Sequence, residues 1–344
     1  KRNIADGMAR AVICNSGNAN TCNADGEEKA QKMCDLIAAE LHIDASDVIV
    51  ASTGVIGQVL PIEPIANSVK TLAEALSAVG SNDAAKAIMT TDTCEKEIAV
   101  EIEIGGKTVT IGGMAKGSGM IHPNMCTMLS FITTDAAISK TALQKALSED
   151  VDDTYNMISV DGDTSTNDTV LVIANGMAEN EKIVEGTKEY EVFAEALHEI
   201  NEYLAKKIAG DGEGATALFE VNVVGPQTKE QAVLLSKAIA CSNLTKTAIA
   251  GHDANWGRII CAMGYSGAQF DPEKVDLFFE SAAGKIQIAE NGTAVDYSEE
   301  KATEILSQPI VTATADVKMG DAKATAWGCD LTHGYIEINA DYRS

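Results

Sequence analysis

The chain has 344 residues, enough to bury a sizeable core in one large domain or two modest ones. Hydrophobic residues make up 45% and charged residues 22%, a globular balance that excludes a disordered chain. The net charge of −25 repels phosphate backbones and anionic lipid, which excludes nucleic acid and membrane surfaces as partners.

An anionic small molecule would therefore have to be drawn in by a local cation. The eight cysteines and five histidines are scattered, with no CxxC pair. That spacing predicts no zinc site or other metal centre and no disulfide framework, and it fits reduced thiols in a cytoplasmic protein. No apolar stretch reaches bilayer length, and no basic-plus-apolar leader is seen.

In chain order, Val12 to Asn20 (VICNSGNAN) is a short apolar run followed by a polar loop. Asp25 and Glu28 have capping-box spacing. Ala30, Met33, Cys34, Ile37, Ala38 and Leu41 then recur at helical period. Asp47 to Ser52 reads as a buried strand, and Thr53-Gly54-Val55-Ile56-Gly57 as the turn after it. A glycine there can present main-chain N–H groups, as an oxyanion hole requires, although a plain strand-ending turn is the simpler reading of the residues alone. Pro61 and Pro64 open a helix carrying Ile65, Val69, Leu72 and Leu76. Met89-Thr90-Thr91-Asp92-Thr93 reads as a strand end or a hydroxyl-stabilised turn. Ile98 to Ile104 alternates as a half-buried strand, and Gly105-Gly106 turns it into a hairpin with Val109 and Ile111.

The hairpin leads into the stretch that organises the chain, Lys116 to Ala136, KGSGMIHPNMCTMLSFITTDA. A lysine and two glycines precede a His122-Pro123-Asn124 turn, after which Thr127 stands at the mouth of an apolar run. Such a position suits a hydroxyl nucleophile, exposed enough to react and held firmly enough to aim. By composition alone a Gly-rich hairpin entering a core strand is the simpler reading, and GSGMIH lacks the glycine spacing of a nucleotide loop.

Beyond it a helix starts near Lys140. Asp161 to Asp168 (DGDTSTND) is a polar loop that lacks the calcium-loop pattern, so side-chain hydrogen bonds within the loop are expected to fold it. A strand follows at Val170 to Ala174, then a long amphipathic helix from Tyr190 to Ile208. Glycines of the GDGEG run, Gly210 to Gly214, stop that helix and bring Glu213 close to some neighbour. Leu218 to Val224 is a strand, Gln231 to Ala240 a helix, and Gly251 to Arg258 opens another. Val311 to Val317 and Tyr335 to Asn339 alternate as strands. A weak change in composition after Gly214 suggests a second subdomain from about residue 215.

Five separated motifs, STGVIG, MTTDT, KGSGMIHPNM-x-TML, GDGEGAT and the terminal NADYRS, carry a resemblance to the ornithine acetyltransferase family, the glutamate N-acetyltransferases of arginine biosynthesis. The resemblance covers the whole chain. It implies a mixed α/β fold, an αββα-type sandwich with sheets inside and helices outside. It also implies self-cleavage between Cys126 and Thr127 into interlocked fragments, residues 1–126 and 127–344. Family members usually carry Ala where Cys126 stands; only the carbonyl of that residue reacts, so cleavage is expected to survive. They also carry sequence ahead of Lys1, so the chain is expected to be N-terminally truncated.

The resemblance further assigns Thr127 as nucleophile, and Thr53 and Gly54 as stabilisers of the tetrahedral oxyanion. Thr93, Lys116, Thr127, Glu213, Asn339 and Ser344 become the substrate-binding residues. The substrates implied are N-acetylornithine and glutamate, with acetyl-CoA left open as a further donor, and no cofactor. The implied assembly is two of each fragment. A related N-terminal-nucleophile hydrolase or aminopeptidase, and a non-catalytic amino-acid-binding module, are the competing readings. Acetyl transfer to glutamate rather than water separates the first, and an uncut chain that still binds ligand would mark the second.

Overall fold

The computed structural model describes residues 2–122 and 128–340. The chain has a mixed α/β fold and divides into two compact units, 2–117 with 128–148 and 165–200, and 118–122 with 149–164 and 201–340.

In the first unit, β1 (Ala11–Asn15) and β2 (Val48–Ser52) pair in parallel, Ala11 opposite Val48 and Asn15 opposite Ser52. Between them runs α1 (Gly26–Leu41), whose Met33, Cys34, Ile37 and Ala38 pack on Ile13, Val48 and Leu60. Full burial of each large side chain in this cluster contributes about 1.5–3 kcal/mol. The helix ends where His42 turns into the left-handed region at φ 55° and its N–H caps the Ala38 carbonyl. Asp25 occupies the N-cap, but its side chain makes no capping bond, so the expected capping box does not form. Its backbone is not extended there, at φ −106° and ψ 14°, the geometry that would aim the carboxylate at the third helical amide. Helix α2 (Glu63–Glu74) has proline in its first turn and buries Val69, and α3 (Ser81–Ala87) follows.

Strands β3 (Lys96–Ile104) and β4 (Lys107–Lys116) form the expected hairpin, with Gly105 and Gly106 both at positive φ, 59° and 77°. That double left-handed turn matches the twist of the flanking strands, which is why two glycines sit there. Strand β5 (Leu129–Thr134) adds antiparallel to β4. After α4 (Lys140–Asp150), β6 (Thr169–Ala174) returns parallel to β5, giving the order β3-β4-β5-β6. Lys116, Leu129 and Thr169 stand in one row across this sheet. A loop through Val184 to Thr187 then leads into α5 (Lys188–Gly210).

In the second unit β7 (Leu218–Val224) is central, with Phe219, Val221 and Val223 fully buried on one face. Against it lies α6 (Lys229–Cys241), opened by a reciprocal Thr228–Gln231 capping box and burying Ala232, Leu235 and Ile239. Then come α7 (Asn243–Ala250), α8 (Trp256–Tyr265), β8 (Asp276–Ser281), β9 (Gly284–Glu290), β10 (Thr293–Ala294), α9 (Glu299–Leu306), β11 (Ile310–Asp316) and β12 (Lys323–Cys329). The sheet order is β10-β9-β8-β11-β7-β12, with β7 and β11 parallel and the other neighbours antiparallel.

The last element differs from expectation. His333–Ala340 is a helix, α10, and not a strand over Tyr335 to Asn339. The alternating Ile336 and Ile338 are 64% and 38% exposed, so period-two patterning has no sheet face to bury. Local hydrogen bonding decides instead. Thr332 Oγ1 accepts from the Gly334 N–H, and Asn339 Nδ2 donates to the Tyr335 carbonyl one turn back.

Among the described residues no helix is long and apolar enough to cross a membrane. Seven cysteines there, Cys14, Cys22, Cys34, Cys94, Cys241, Cys261 and Cys329, are free thiols.

Candidate active site

Thr53 follows directly on β2 and is buried, its N–H donating to the Asn15 carbonyl at 2.8 Å. Gly54 takes φ 117°, and a Cβ there would lie 2.6 Å from the Gly17 carbonyl group. Only glycine fits both the dihedral and the close backbone approach. The Asn167 side chain donates to the Ser52 carbonyl and to Asn20 Oδ1, each at 2.9 Å. It thereby fastens the start of β6 to the end of β2, one residue ahead of Thr53.

At the end of β4 Lys116 is 3% exposed, with its ammonium 2.9 Å from Thr90 Oγ1 and 3.5 Å from Asp92 Oδ2. The other Asp92 oxygen accepts from Lys96 Nζ at 2.7 Å and from the Gly117 N–H at 2.6 Å. Burial would push the Asp92 carboxyl up. The two lysines and the Gly117 amide outweigh it and hold the pKa at about 2. Two ammonium groups thus share the buried Asp92 carboxylate. The same ammonium acts on Cys14 of β1, although burial dominates and pushes that thiol up to about 12. Such a thiol is an inert core group, not a nucleophile.

Thr93, the threonine that the resemblance assigns to substrate, lies exposed on the turn before β3. The one that touches Lys116 is Thr90, three residues earlier. Sequence reasoning passed over it because all the threonines of MTTDT look alike until the Asp92–Lys116 pair fixes the turn.

In the second unit Glu213 is 6% exposed, and its carboxyl lies against Gly119 so closely that a Cβ on residue 119 would collide with it. The Glu213 N–H donates to the Ser118 carbonyl at 3.0 Å, and the Ser118 hydroxyl donates to the Asp211 carbonyl at 2.7 Å. Asn339 Nδ2 donates to Glu213 Oε2 at 2.7 Å, so α10 delivers its amide to the GDGEG carboxylate. Gly214, at φ 71°, lets the backbone of α10 approach, and Thr332 Oγ1 ties to the Gly214 carbonyl at 2.6 Å.

Asp161 fixes the neighbouring segment. Its oxygens accept from the Met120 and Ile121 N–H groups at 2.7 and 2.9 Å and from the Tyr335 hydroxyl at 3.2 Å. The polar loop therefore also bonds outward to the 120–121 backbone, in addition to its own Asp163 N–H. Burial, together with the Asp161 charge, pushes the Tyr335 phenol up. His122 Nδ1 lies 3.1 Å from Ser159 Oγ, and burial and the Lys237 charge lower its pKa against the pull of Asp161 and Asp163. Among the described residues no group of three or more His, Cys, Asp or Glu side chains could hold a metal ion. Cys126, Thr127 and Ser344 lie outside the described residues.

The first unit holds the glycine turn and the buried Lys116–Asp92–Lys96 cluster, and the second holds the Glu213 carboxyl bonded to Asn339. The chain belongs to the ArgJ family, whose family model matches residues 1–344. It is 52% identical to the arginine biosynthesis bifunctional protein ArgJ of Caldanaerobacter subterraneus subsp. tengcongensis, over 98% of this chain and 84% of that protein. Identity to the ArgJ protein of Thermotoga neapolitana is 53%, over 97% of this chain and 84% of that one. The crystal structure of ArgJ from Bacillus halodurans superposes with a TM-score of 0.60 at 47% identity, covering 62% of this chain and 99% of that one.

Proposed function

We propose that this chain transfers the acetyl group of N2-acetyl-L-ornithine to L-glutamate, releasing ornithine and forming N-acetylglutamate. The observation that carries the reading is the whole-chain family match, joined to the buried Lys116 and Glu213 of its motifs. Both are charged groups kept out of water by partners supplied for the purpose, which a fold retains only at some expense in stability.

In this reading the Thr127 hydroxyl attacks the Cys126 carbonyl, the chain shifts from amide to ester, and water hydrolyses the ester. The fragments 1–126 and 127–344 stay interlocked as an αββα-type sandwich, and two such pairs assemble. The exposed Thr127 amine, with an unperturbed pKa of ~8, is the general base for its own hydroxyl. That hydroxyl attacks the acetyl carbonyl, and Thr53 and Gly54 hold the oxyanion at roughly 3 kcal/mol per donor. Ornithine leaves, glutamate takes its place, and its amine accepts the acetyl group. Lys116 holds the substrate carboxylate, Thr90 orients Lys116, and Glu213 with Asn339 receives the substrate amino group. Thr93 and Ser344 remain candidates for the outer contacts, and acetyl-CoA for a further donor.

Intact-mass measurement with N-terminal sequencing tests the scheme. Two fragments are expected, the second beginning Thr-Met-Leu, along with ping-pong kinetics. Thr127→Ala is expected to give one unbroken, inactive chain. Hydrolysis of acetylornithine without transfer to glutamate would show a hydrolase instead.

A further inference from the structure

Helix α10 buries none of its eight residues, so apolar packing does little to fix where Asn339 stands. Hydrogen bonds take over that task. Ahead of the helix the Thr332 hydroxyl donates to the Gly214 carbonyl, and within it the Tyr335 hydroxyl donates to Asp161 Oδ2 at 3.2 Å. Tyr335 and Asn339 are four residues apart, on one face of the helix. The Asn339 amide donates to the Tyr335 carbonyl at 3.0 Å and to Glu213 Oε2 at 2.7 Å. Tyr335 therefore restrains that amide twice, anchoring its helix through the hydroxyl and receiving one N–H on the main chain.

Asp161, the first aspartate of the DGDTSTND loop, anchors the opposite side as well. The oxygen that accepts from Tyr335 also accepts from the Met120 N–H at 2.7 Å, and the other accepts from the Ile121 N–H at 2.9 Å. Met120 has φ 56°, a left-handed conformation that a long side chain adopts only where its surroundings impose it. Gly119, one residue earlier, lies against the Glu213 carboxyl. The contacts close a ring that runs from Asp161 through Tyr335, Asn339, Glu213, Gly119 and Met120 back to Asp161. Burial first, then the charges of Asp161, Glu213 and Asp163, push the Tyr335 phenol up, so its hydroxyl stays a donor at any working pH.

We propose that Asp161 and Tyr335 are positioning residues for recognition of the substrate amino group, holding α10 so that the Asn339 amide keeps the Glu213 carboxylate aimed. The inference rests on the acetyltransferase reading, in which Glu213 and Asn339 receive that group. Asn339 is a neutral donor, so it orients the carboxylate and leaves its charge for an incoming ammonium. Asp161 and Tyr335 act through this pair and need no contact with the substrate.

Steady-state kinetics of acetyl transfer from N-acetylornithine to glutamate test the ring in the full-length enzyme. The forms compared are wild type, Tyr335→Phe, Asn339→Ala, the double variant and Asp161→Asn. Phe keeps the ring and removes only the hydroxyl, and thermal melting checks each fold. Tyr335→Phe is expected to raise KM for N-acetylornithine about tenfold with kcat within twofold, the split of a lost binding contact. In the Asn339→Ala background the same change should cost less than twofold, because the amide it positions is gone. Asp161→Asn, which retains one acceptor oxygen, should shift KM in the same direction. Wild-type KM in Tyr335→Phe or Asp161→Asn overturns the inference alone. A Tyr335→Phe cost that persists in full without Asn339 also overturns it and marks a structural role. A wild type that transfers no acetyl group to glutamate overturns the acetyltransferase reading as well.

Discussion

Gly119 faces the Glu213 carboxyl so closely that the smallest possible side chain at 119 would collide with it. The glycine is there to let a buried carboxylate come within contact of the backbone. Gly119→Ala should therefore displace Glu213 from Asn339 and leave the fold in place. We expect kcat/KM for acetylornithine to fall by at least tenfold while the melting temperature changes by only a few degrees, since overpacking costs about 1–3 kcal/mol. Steady-state kinetics and calorimetry on one preparation check both numbers.

Asp92 pairs with both Lys96 and Lys116. Replacing it by Asn leaves two buried ammonium groups facing each other, and removing one partner of a buried pair costs about 3–5 kcal/mol. Urea unfolding should report that loss. Because the Asp92 pKa is held at about 2, below its unfolded value, its stabilisation is present above the ordinary carboxylate range and disappears as pH falls toward 2. The Asn variant should therefore lack that part of the acid transition.

For Asp168 the sign is opposite. Burial holds its folded pKa at about 8, above the unfolded value, so its contribution is present below the ordinary carboxylate range and is lost as pH rises through about 8. Asp168→Asn behaves as a carboxyl that never ionises. Its melting temperature should match that of the wild type only below the ordinary aspartate value of about 4, and exceed it by a growing margin up to pH 9.

Thr90 and Thr93 can be separated by the same change. Thr90→Val removes a hydroxyl that accepts from a charged donor at 2.9 Å, and a KM increase of about tenfold is expected. Thr93→Val, at an exposed position, should raise KM less than Thr90→Val does. The reverse order in the kinetics would give Thr93 the larger share of the substrate contact.

Strong periodicity made much of the first unit legible. The β3–β4 hairpin follows from strict alternation and two glycines, and α1 from its apolar spacing. Asp25 and Glu28 misled because spacing alone does not set the N-cap dihedral. Tyr335 to Asn339 misled because alternation fits a strand only where a sheet edge is open to receive it. Motif resemblance pointed to Lys116, Glu213 and Asn339, and in the structure Asn339 bonds to Glu213. The Thr90–Lys116 contact was invisible for a physical reason. It joins side chains 26 positions apart, and no local pattern announces a pairing made by the tertiary fold.

The Lys96–Asp92–Lys116 trio sits inside a molecule of net charge −25, and the two fields respond differently to salt. Mobile ions shield the long-range field of exposed acidic groups within about 8–10 Å at moderate ionic strength, but they screen buried charges much less. Added potassium chloride would then weaken the outer barrier that turns glutamate away and leave the inner attraction intact. Capture of the acceptor amino acid should speed up with salt, the reverse of the usual behaviour of an enzyme that binds an anion through surface lysines.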